Sequence, residues 1–481
     1  MRRRLLKRLK RWLYLGHRWL GIVTCLLFVI WFGSGLVMMY VGFPALTEAE
    51  RRAGLPRLAL DRVAVAPDAA LAAAGQDRFP RALRLEMLDR EPVYRITAWD
   101  GSRHAVSAVS GVPLAAVAED RALAVAGHDP RAARPRPLAP VGRDQWSVTA
   151  RYDPLRPFHR VALGDADDTI LYVSARTGEV ALDTTGRERL WNWFGAIPHW
   201  IYLTPLRAQA DLWRDVVLWV SGVAIAGAAS GLIVGLLRLR ARPGGPATPY
   251  RGWAAWHHLG GLAGGLTLLA FVASGWLSVN PNRWFGPRAP SQPMLERYAG
   301  GTAPTALALA DLPPAPCSDL VEIRFGWLDR SPWALQTCRD GRAEIAPADP
   351  TGATPARLER AARRLLPDAA LIDAILLTEE DSHWYAHHQP RRLPVLRVAF
   401  DDPAATWFHI DPATGEVLDR LDRSGRVYRW LFHAPHSFDF AFLLKRRPAW
   451  DLVLWLLIAA GLVVSLSGTV VGWRRLCRNR A

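Results

Sequence analysis

Four long apolar runs stand out along the chain. They cover residues 19–41, 216–237, 259–279 and 452–472, and none of them contains Asp, Glu, Lys or Arg. At a rise of about 1.5 Å per residue, each run forms a helix long enough to cross a hydrocarbon core of about 30 Å. The pattern therefore predicts an integral membrane α-helical protein with four transmembrane helices, and it argues against a soluble enzyme.

The two long segments between the apolar runs have a different pattern. Residues 92–97 and 169–174 alternate apolar and polar positions, as strands with one buried face do. Thr-Gly-Glu, a turn signal, follows the late strand at 177–179 and again at 414–416. Residues 355–366 place apolar side chains on one face of a helix. Each long segment is therefore predicted to be an α+β region built from two small units of helix plus antiparallel strands.

Basic residues cluster next to the apolar runs, at the N-terminus, in the loop between the second and third runs, and in the tail. Since Lys and Arg near helix ends are retained in the cytoplasm, both termini and this loop are predicted to be cytoplasmic. The two long segments then lie outside, which in a bacterium is the periplasm. The chain carries 60 Lys and Arg against 44 Asp and Glu. Because this excess adjoins apolar runs, it favours membrane lipid as a partner and not a nucleic acid.

The apolar runs and the basic clusters together define the order of the predicted segments along the chain. The N-terminus is basic and is followed by more than twenty apolar residues without a small-residue cleavage site, so it is interpreted as a retained anchor. The segments are the N-terminus with the first helix (1–43), the first outer region (44–211), the second helix (212–238), the cytoplasmic loop (239–255), the third helix (256–280), the second outer region (281–449), the fourth helix (450–473) and the tail (474–481).

The chain repeats itself. The segment LDREP at 88–92 returns as LDRSP at 328–332, 240 residues later, and TGEV at 177–180 returns at 414–417, 237 residues later. Helix, outer segment and helix thus occur twice, and both copies enter from the same side. Such a parallel repeat predicts a pseudo-two-fold axis along the membrane normal.

The order of the motifs resembles the PepSY-associated transmembrane family. The resemblance covers nearly the whole chain and rests on HRWLG at 17–21, HHLGG at 257–261, DPATGEV at 411–417, HSFDF at 436–440 and RPAWD at 447–451. Members include inner-membrane ferrisiderophore reductases that hold two b-type haems and pass electrons toward the periplasm. The resemblance implies PepSY-like outer regions and a haem-bearing reductase of ferric chelates in the bacterial inner (cytoplasmic) membrane, with catalytic residues unknown.

Four histidines are candidate axial ligands for two b-type haems. A bis-histidine haem needs two imidazoles at one depth on facing helices, each with its second ring nitrogen held by a polar partner. His17 and His257 occupy equivalent positions at the cytoplasmic starts of the first and third helices. His199 and His436 are equivalent just before the second and fourth helices. Symmetry therefore predicts an inner and an outer pair, whereas a single interfacial histidine would indicate only headgroup contact.

Other histidines are weaker candidates. His258 follows His257 and points about 100° away on a helix, which suggests a propionate or lipid contact, or an exchange of roles with His257. His433 lies three residues before His436 on the same side of a helix, so it could contact the ligand His436 or replace it as a ligand. His383, His387 and His388, near Asp381, are expected to form a solvated polar loop, with a transient metal or chelate site as the alternative.

Ser-Gly pairs occur at the depths of both predicted sites. Residues 34–35 and 274–275 lie about 25 Å along the helix from the inner histidines, and 230–231 and 467–468 lie near the inner ends of their helices. Small residues there would leave room for a flat macrocycle, and ordinary close packing of membrane helices explains them equally well.

Missing motifs narrow the function further. The sequence has no Walker A loop, no GxGxxG after a strand and no CxxCH. Electrons would therefore come from a separate donor, such as quinol, reduced flavin or a flavoprotein. Cys317 and Cys338 could form a disulfide in an oxidising compartment. Two alternatives stay open: a non-catalytic anchored protein that binds a peptide, protease or envelope partner, and a component of iron or haem uptake.

Overall fold

The computed structural model describes residues 2–240, 246–301, 306–347, 354–387 and 391–478. Within these ranges, four helices are long and apolar enough to span a membrane, as the four apolar runs predicted. Each helix begins several residues before its apolar run, because the preceding basic and polar residues adopt the helical backbone as well. The four are α1 Arg2–Met38, α2 Ala210–Arg238, α3 Trp253–Ser278 and α4 Arg447–Arg478.

The four long helices form a bundle in which α1 and α3 occupy opposite corners. Each of these two packs against both α2 and α4. Phe28, Phe32, Leu268 and Ile458 are buried between the helices. Outside this core, large apolar side chains remain exposed along the bundle, and Trp219 is 77% exposed. An apolar surface of this extent is typical of a membrane protein.

Within the described ranges, fourteen strands form the sheet regions. They are β1 Ala82–Leu88, β2 Glu91–Thr97, β3 Arg103–Ser107, β4 Arg136–Val141, β5 Phe158–Ala162, β6 Ile170–Ser174, β7 Val180–Thr184, β8 Leu320–Leu328, β9 Ser331–Cys338, β10 Ala343–Pro347, β11 Leu371–Leu377, β12 Val395–Phe400, β13 Trp407–Ile410 and β14 Val417–Leu421.

Short helices connect the strands to one another and to the bundle. Two of them carry the outer histidines and lead into α2 and α4. The short α-helices are Glu48–Ala53, Pro67–Ala73, Glu119–Gly127, Gly186–Trp191, Ala196–His199, Thr204–Arg207, Gln292–Ala299, Pro355–Arg363, Arg423–Tyr428, Ala434–Ser437 and Ala441–Leu444, with 3-10 turns at Leu60–Arg62, Ala150–Leu155, Pro281–Arg283 and Leu309–Asp311 and a π-turn at Arg429–His433.

The first strands of the two halves join into one six-stranded sheet, in the order β10-β9-β8-β1-β2-β3. β1 pairs with β8 in antiparallel fashion, and Arg84 lies opposite Arg324, its own counterpart 240 residues later. The pseudo-two-fold axis of the outer regions therefore passes between these residues. The sequence predicted two small units in each outer region and did not address how the regions contact each other. In the structure they share a sheet, because each three-stranded sheet pairs its exposed edge with its copy.

Buried charges hold this junction together. Glu86 on β1 lies opposite Glu322 on β8, and both carboxylates are at least 90% buried. Arg51 donates to both, at 2.9 Å to Glu86, and Arg95 donates to Glu86 at 3.0 Å. Burial alone would raise the pKa of Glu86, but Arg84, Arg95 and Arg51 outweigh it and lower this pKa to about 2.

The later strands of each half form a separate antiparallel sheet, β4-β5-β6-β7 in the first half and β11-β12-β13-β14 in the second. Phe158 and Tyr172 are buried in the core of the first sheet, and Phe400 and Phe408 in the core of the second. Cys317 and Cys338 form a disulfide that ties the segment before β8 to the end of β9. These sheets connect to the bundle through the short helices that bear His199 and His436.

We expect Glu86→Gln to lower the free energy of unfolding of the outer sheets by about 3 kcal/mol. The change removes the carboxylate that pairs with buried Arg95, for which the described residues offer no other ion-pair partner. A urea titration in detergent, followed by circular dichroism, measures this. The ordinary pKa of the carboxyl is 4.5. The contribution of Glu86 is therefore complete above this pH and disappears as the pH falls toward 2.

Glu48→Gln is the matched control, because Glu48 bonds the same arginine from a side chain that is 69% exposed. It should cost less than about 1 kcal/mol. An equal decrease in the free energy of unfolding in the two variants would contradict a special role of the buried charges in stability.

Candidate functional site

The inner histidines face each other across the bundle. His17 on α1 and His257 on α3 have ring centroids 6.2 Å apart and ring planes inclined by 15°. The Nδ1 of His17 lies 3.3 Å from the Gly227 carbonyl oxygen on α2. The Nδ1 of His257 lies 3.1 Å from the Val464 carbonyl oxygen on α4. Each ring is thus oriented by the helix next to its own.

The outer histidines repeat this arrangement from the short helices. His199 and His436 have ring centroids 6.1 Å apart, with ring planes inclined by 71°. The Nδ1 of His199 lies 3.1 Å from the Trp31 carbonyl oxygen on α1. The Nδ1 of His436 lies 3.2 Å from the Phe271 carbonyl oxygen on α3. The structure therefore brings together both predicted pairs.

These contacts determine the tautomer of all four rings. A carbonyl oxygen only accepts, so each Nδ1 carries the proton and donates it. In the described part of the chain, the four Nε2 atoms make no hydrogen bond, and each keeps its lone pair. Two imidazoles that bind one metal ion from opposite sides through Nε2, at about 2 Å each, have ring centres roughly 6 Å apart. Both pairs meet this spacing.

A short helical motif builds each of the four ring contacts. The accepting carbonyl is followed by serine three residues later and by glycine four residues later, and the serine hydroxyl lies 3.0 to 3.4 Å from the same Nδ1. Along a helix, the side chain at the fourth residue lies over this carbonyl, so only glycine leaves it open to a ring. The motifs are 227–231, 464–468, 31–35 and 271–275.

The glycines of these motifs lie against the histidine rings. A Cβ atom on Gly231 would lie 2.8 Å from Cε1 of His17, and one on Gly468 would lie 2.9 Å from Cε1 of His257. The corresponding distance at Gly35 and Gly275 is 3.4 Å. The sequence placed the Ser-Gly pairs at the right depths, but it missed that serine and glycine contact the histidines directly. The spacing from carbonyl to serine to glycine was the available signal.

A cavity of about 580 Å³ surrounds the inner pair. Its walls are mostly apolar, and Cys25, one of the free cysteines, lies in them. Its described lining residues include no Asp or Glu. The arginines that line it are Arg18, Arg238, Arg251, Arg474 and Arg475. The cavity thus combines an apolar interior, two available imidazoles and guanidinium groups suited to carboxylates.

His258 and His433 lie outside the two pairs. The Nδ1 of His258 lies 2.8 Å from the Thr248 hydroxyl, and its Nε2 lies 2.9 Å from the Gly235 carbonyl oxygen. These bonds tie α3 to the end of α2 and occupy both nitrogens, so His257 is the better ligand of the two. The Nδ1 of His433 lies 4.0 Å from a carboxylate oxygen of Asp439.

The histidines of the second outer region are placed differently from the solvated loop that the sequence suggested. His383 is partly buried against Trp407 and Trp430, with ring centroids 5.6 and 6.4 Å away. The ring of His387 lies 5.9 Å from that of Trp450. His388 lies outside the described residues. No group of three or more His, Cys, Asp or Glu within the described ranges could hold a metal ion.

Comparison of the chain with models of known protein families and with curated proteins returns no match. The function of the site is therefore argued from its geometry.

Proposed function

We propose that this protein is an integral membrane electron-transfer protein that binds two b-type haems, one between His17 and His257 and one between His199 and His436. The observation that carries the proposal is the spacing of 6.1 to 6.2 Å in both pairs, with the proton on Nδ1 and the lone pair on Nε2. Haem b, when bound, supplies reversible one-electron transfer between ferric and ferrous iron.

The donor set favours haem over a bare metal ion. Each site offers two imidazoles, and a bare ion such as zinc needs at least three protein ligands. In the described residues no third His, Cys, Asp or Glu joins either pair. Haem iron takes four ligands from its own macrocycle and needs the protein only for axial ligands. The apolar cavity beside His17, with arginines along its walls, suits a flat ring that carries two carboxylates.

The protein's own residues orient and protect these sites. Bonds from Nδ1 to a carbonyl hold each ring in one rotation and raise the basicity of Nε2 as a ligand. The glycines allow the rings to approach the neighbouring helices closely. The buried helix interior excludes water, which together with the axial ligands sets the reduction potential.

The arrangement in the membrane follows from charge. The basic N-terminus, loop and tail adjoin the helix ends that carry the inner pair, and this supports a cytoplasmic location for that end of the bundle. The sheets then lie in the periplasm of a bacterium with two membranes. The disulfide between Cys317 and Cys338 supports an oxidising compartment for them.

The proposed reaction is the reduction of an acceptor outside the cytoplasmic membrane, most simply a ferric chelate such as a ferrisiderophore. A separate donor, either quinol or a reduced flavin or flavoprotein, supplies the electrons on the cytoplasmic side or from the membrane. The resemblance to the PepSY-associated transmembrane family supports this choice of acceptor. The competing function is a non-catalytic anchor for an envelope partner, and it requires no cofactor.

The absorption spectrum of the purified protein tests the proposal. We expect a Soret band and, after reduction with dithionite, a b-type α band. Replacement of any one of the four ligands by alanine should lower the haem content to about half, because each variant loses one of two axial pairs. The pyridine haemochrome assay measures this content.

His128→Asn is the matched control, because His128 is an exposed histidine of the outer region. It should leave the haem content unchanged. A colourless wild-type protein would refute the proposal and favour the non-catalytic anchor. Full haem content in all four ligand variants would refute the ligand assignment.

The inner glycine motif gives an independent test. Gly231→Ala places a methyl group 2.8 Å from Cε1 of His17, so the ring must move away from its carbonyl partner. We expect loss of the inner haem and retention of the outer one, which leaves about one haem per chain. Gly33→Ala is the control, since no atom lies within 4 Å of its added Cβ. Equal haem content in the two variants would contradict the proposed role of the motif.

A further inference from the structure

The two outer sheets carry the same framework next to the outer pair. An ion pair joins Arg160 to Asp144 in the first half, at 4.0 Å, and Arg397 to Asp381 at the equivalent positions in the second, at 2.6 Å. The aromatic contact between 146 and 193 in the first half recurs between 383 and 430, at 6.4 Å in both. Each of these residues in the second half can therefore be compared with its counterpart in the first half.

In the first half, this framework is satisfied within the protein. Tyr172 is buried, and its hydroxyl donates to Asp144 at 2.7 Å. Trp146 fills the position beside Trp193. Arg189 donates to the backbone and the carboxylate of Asp168, which neutralises its charge. In the first half, these side chains therefore serve to stabilise the fold.

In the second half, two of these positions are histidines with a free nitrogen. His409 replaces Tyr172 and is fully buried, and its Nε2 accepts from Nε of Arg397 at 3.0 Å. Its Nδ1 has no hydrogen-bond partner among the described residues, and the same holds for Nη2 of Arg397 and Nδ1 of His383. Buried polar atoms without partners cost folding free energy. The first half also has such atoms, for example Nδ1 of His159, but none of them lies at the counterparts of His383, Arg397 and His409. Their concentration at these three positions indicates a purpose other than stability.

The second half has also lost a compensating carboxylate. Ala405 stands where the first half has Asp168, and both residues adopt a positive φ, 47° and 50°. Asp tolerates this backbone region better than Ala does, so the exchange does not serve the fold. Arg426, the counterpart of Arg189, consequently donates to the backbone carbonyls of Ala405 and Leu421. It makes no hydrogen bond to a described carboxylate, and Asp422 and Asp402 act on its charge only at longer range.

Positive charge is concentrated around one ring as a result. Trp407 replaces Ile170, and the guanidinium groups of Arg397 and Arg426 lie 4.6 and 4.1 Å from its centroid. Burial lowers the pKa of His383, and Arg397, Arg426 and Arg429 add to this effect against the opposing field of Asp381. Arginines over an aromatic ring are suited to planar, oxygen-rich anions.

We propose that this second-half face, which consists of His383, Arg397, Trp407, Arg426 and Trp430, binds the electron acceptor as an anionic ferric chelate with carboxylate oxygens. The inference rests on the proposed function and names its acceptor class and docking side. Trp430 lies six residues before His436 along consecutive helical turns, which corresponds to about 9 Å, so a chelate on this face is near the outer pair. The ferric ion gains one electron, supplied by the separate donor, and becomes ferrous.

Binding of a redox-inert analogue tests this face directly. Gallium(III) citrate has the charge and shape of ferric citrate but accepts no electron, and tryptophan fluorescence of the full chain in detergent reports its binding. We expect Arg426→Gln to weaken binding at least about tenfold, because it removes a charge-assisted contact. His383→Trp, which restores the residue of the first half, should weaken binding as well.

The first half supplies the matched controls, Arg189→Gln and Trp146→His, and both should leave the affinity unchanged. Iron-free citrate and inorganic phosphate, titrated in parallel, distinguish recognition of the chelate from recognition of any anion, and we expect weaker binding of both. Circular dichroism verifies that each variant is folded. Absence of gallium citrate binding, equal binding by wild type and both second-half variants, or equal loss in the first-half controls would overturn the proposal.

The two proposals fail separately. A colourless protein that binds gallium citrate through Arg426 would refute the haem proposal and leave the binding face in place. A protein with two haems that does not bind gallium citrate would refute the binding face alone.

Discussion

The hydrogen bond from a histidine Nδ1 to the main-chain carbonyl of a neighbouring helix is the interaction on which both sites depend. It occurs four times, and each time glycine follows the carbonyl by four residues. A side chain at that position would cover the carbonyl and displace the ring. The bond fixes the tautomer, the rotation and the depth of each imidazole at once. Two pairs of imidazoles with ring centroids 6.1 to 6.2 Å apart follow from this local rule and the two-fold repeat.

The repeat reaches beyond the four long helices. Its axis passes between α1 and α3 in the bundle and between Arg84 and Arg324 in the shared sheet. Near the axis, the differences in sequence between the halves stabilise the contact between them, since Arg51 of the first half bonds a glutamate from each half. Away from the axis, the differences in sequence do not stabilise the fold. Polar side chains of the second half lack described hydrogen-bond partners that their counterparts in the first half have. Symmetry thus separates residues that maintain the fold from residues that carry out a task in one half alone.

The sequence predicted the features that depend on local pattern. Apolar runs placed the four helices, and the internal repeat placed His17 opposite His257 and His199 opposite His436. It did not predict the pairing of β1 with β8, because either strand could equally have stayed at an edge or paired elsewhere. The part played by Ser230 and Gly231 was also missed, since contact between a ring and a carbonyl depends on the rotation of two helices. The environment of His383 depended on Trp407 and Trp430, which are distant in sequence.

The shared six-stranded sheet has a mechanical consequence. Transporters built from repeats work by rocking one half against the other, which requires an interface that slides or opens. Here a continuous ladder of main-chain hydrogen bonds and buried ion pairs crosses from one half to the other. Rotating the halves apart would break these main-chain hydrogen bonds and leave buried charged side chains without their partners. Such a rigid frame suits the transfer of electrons, which cross a protein without movement of one half against the other.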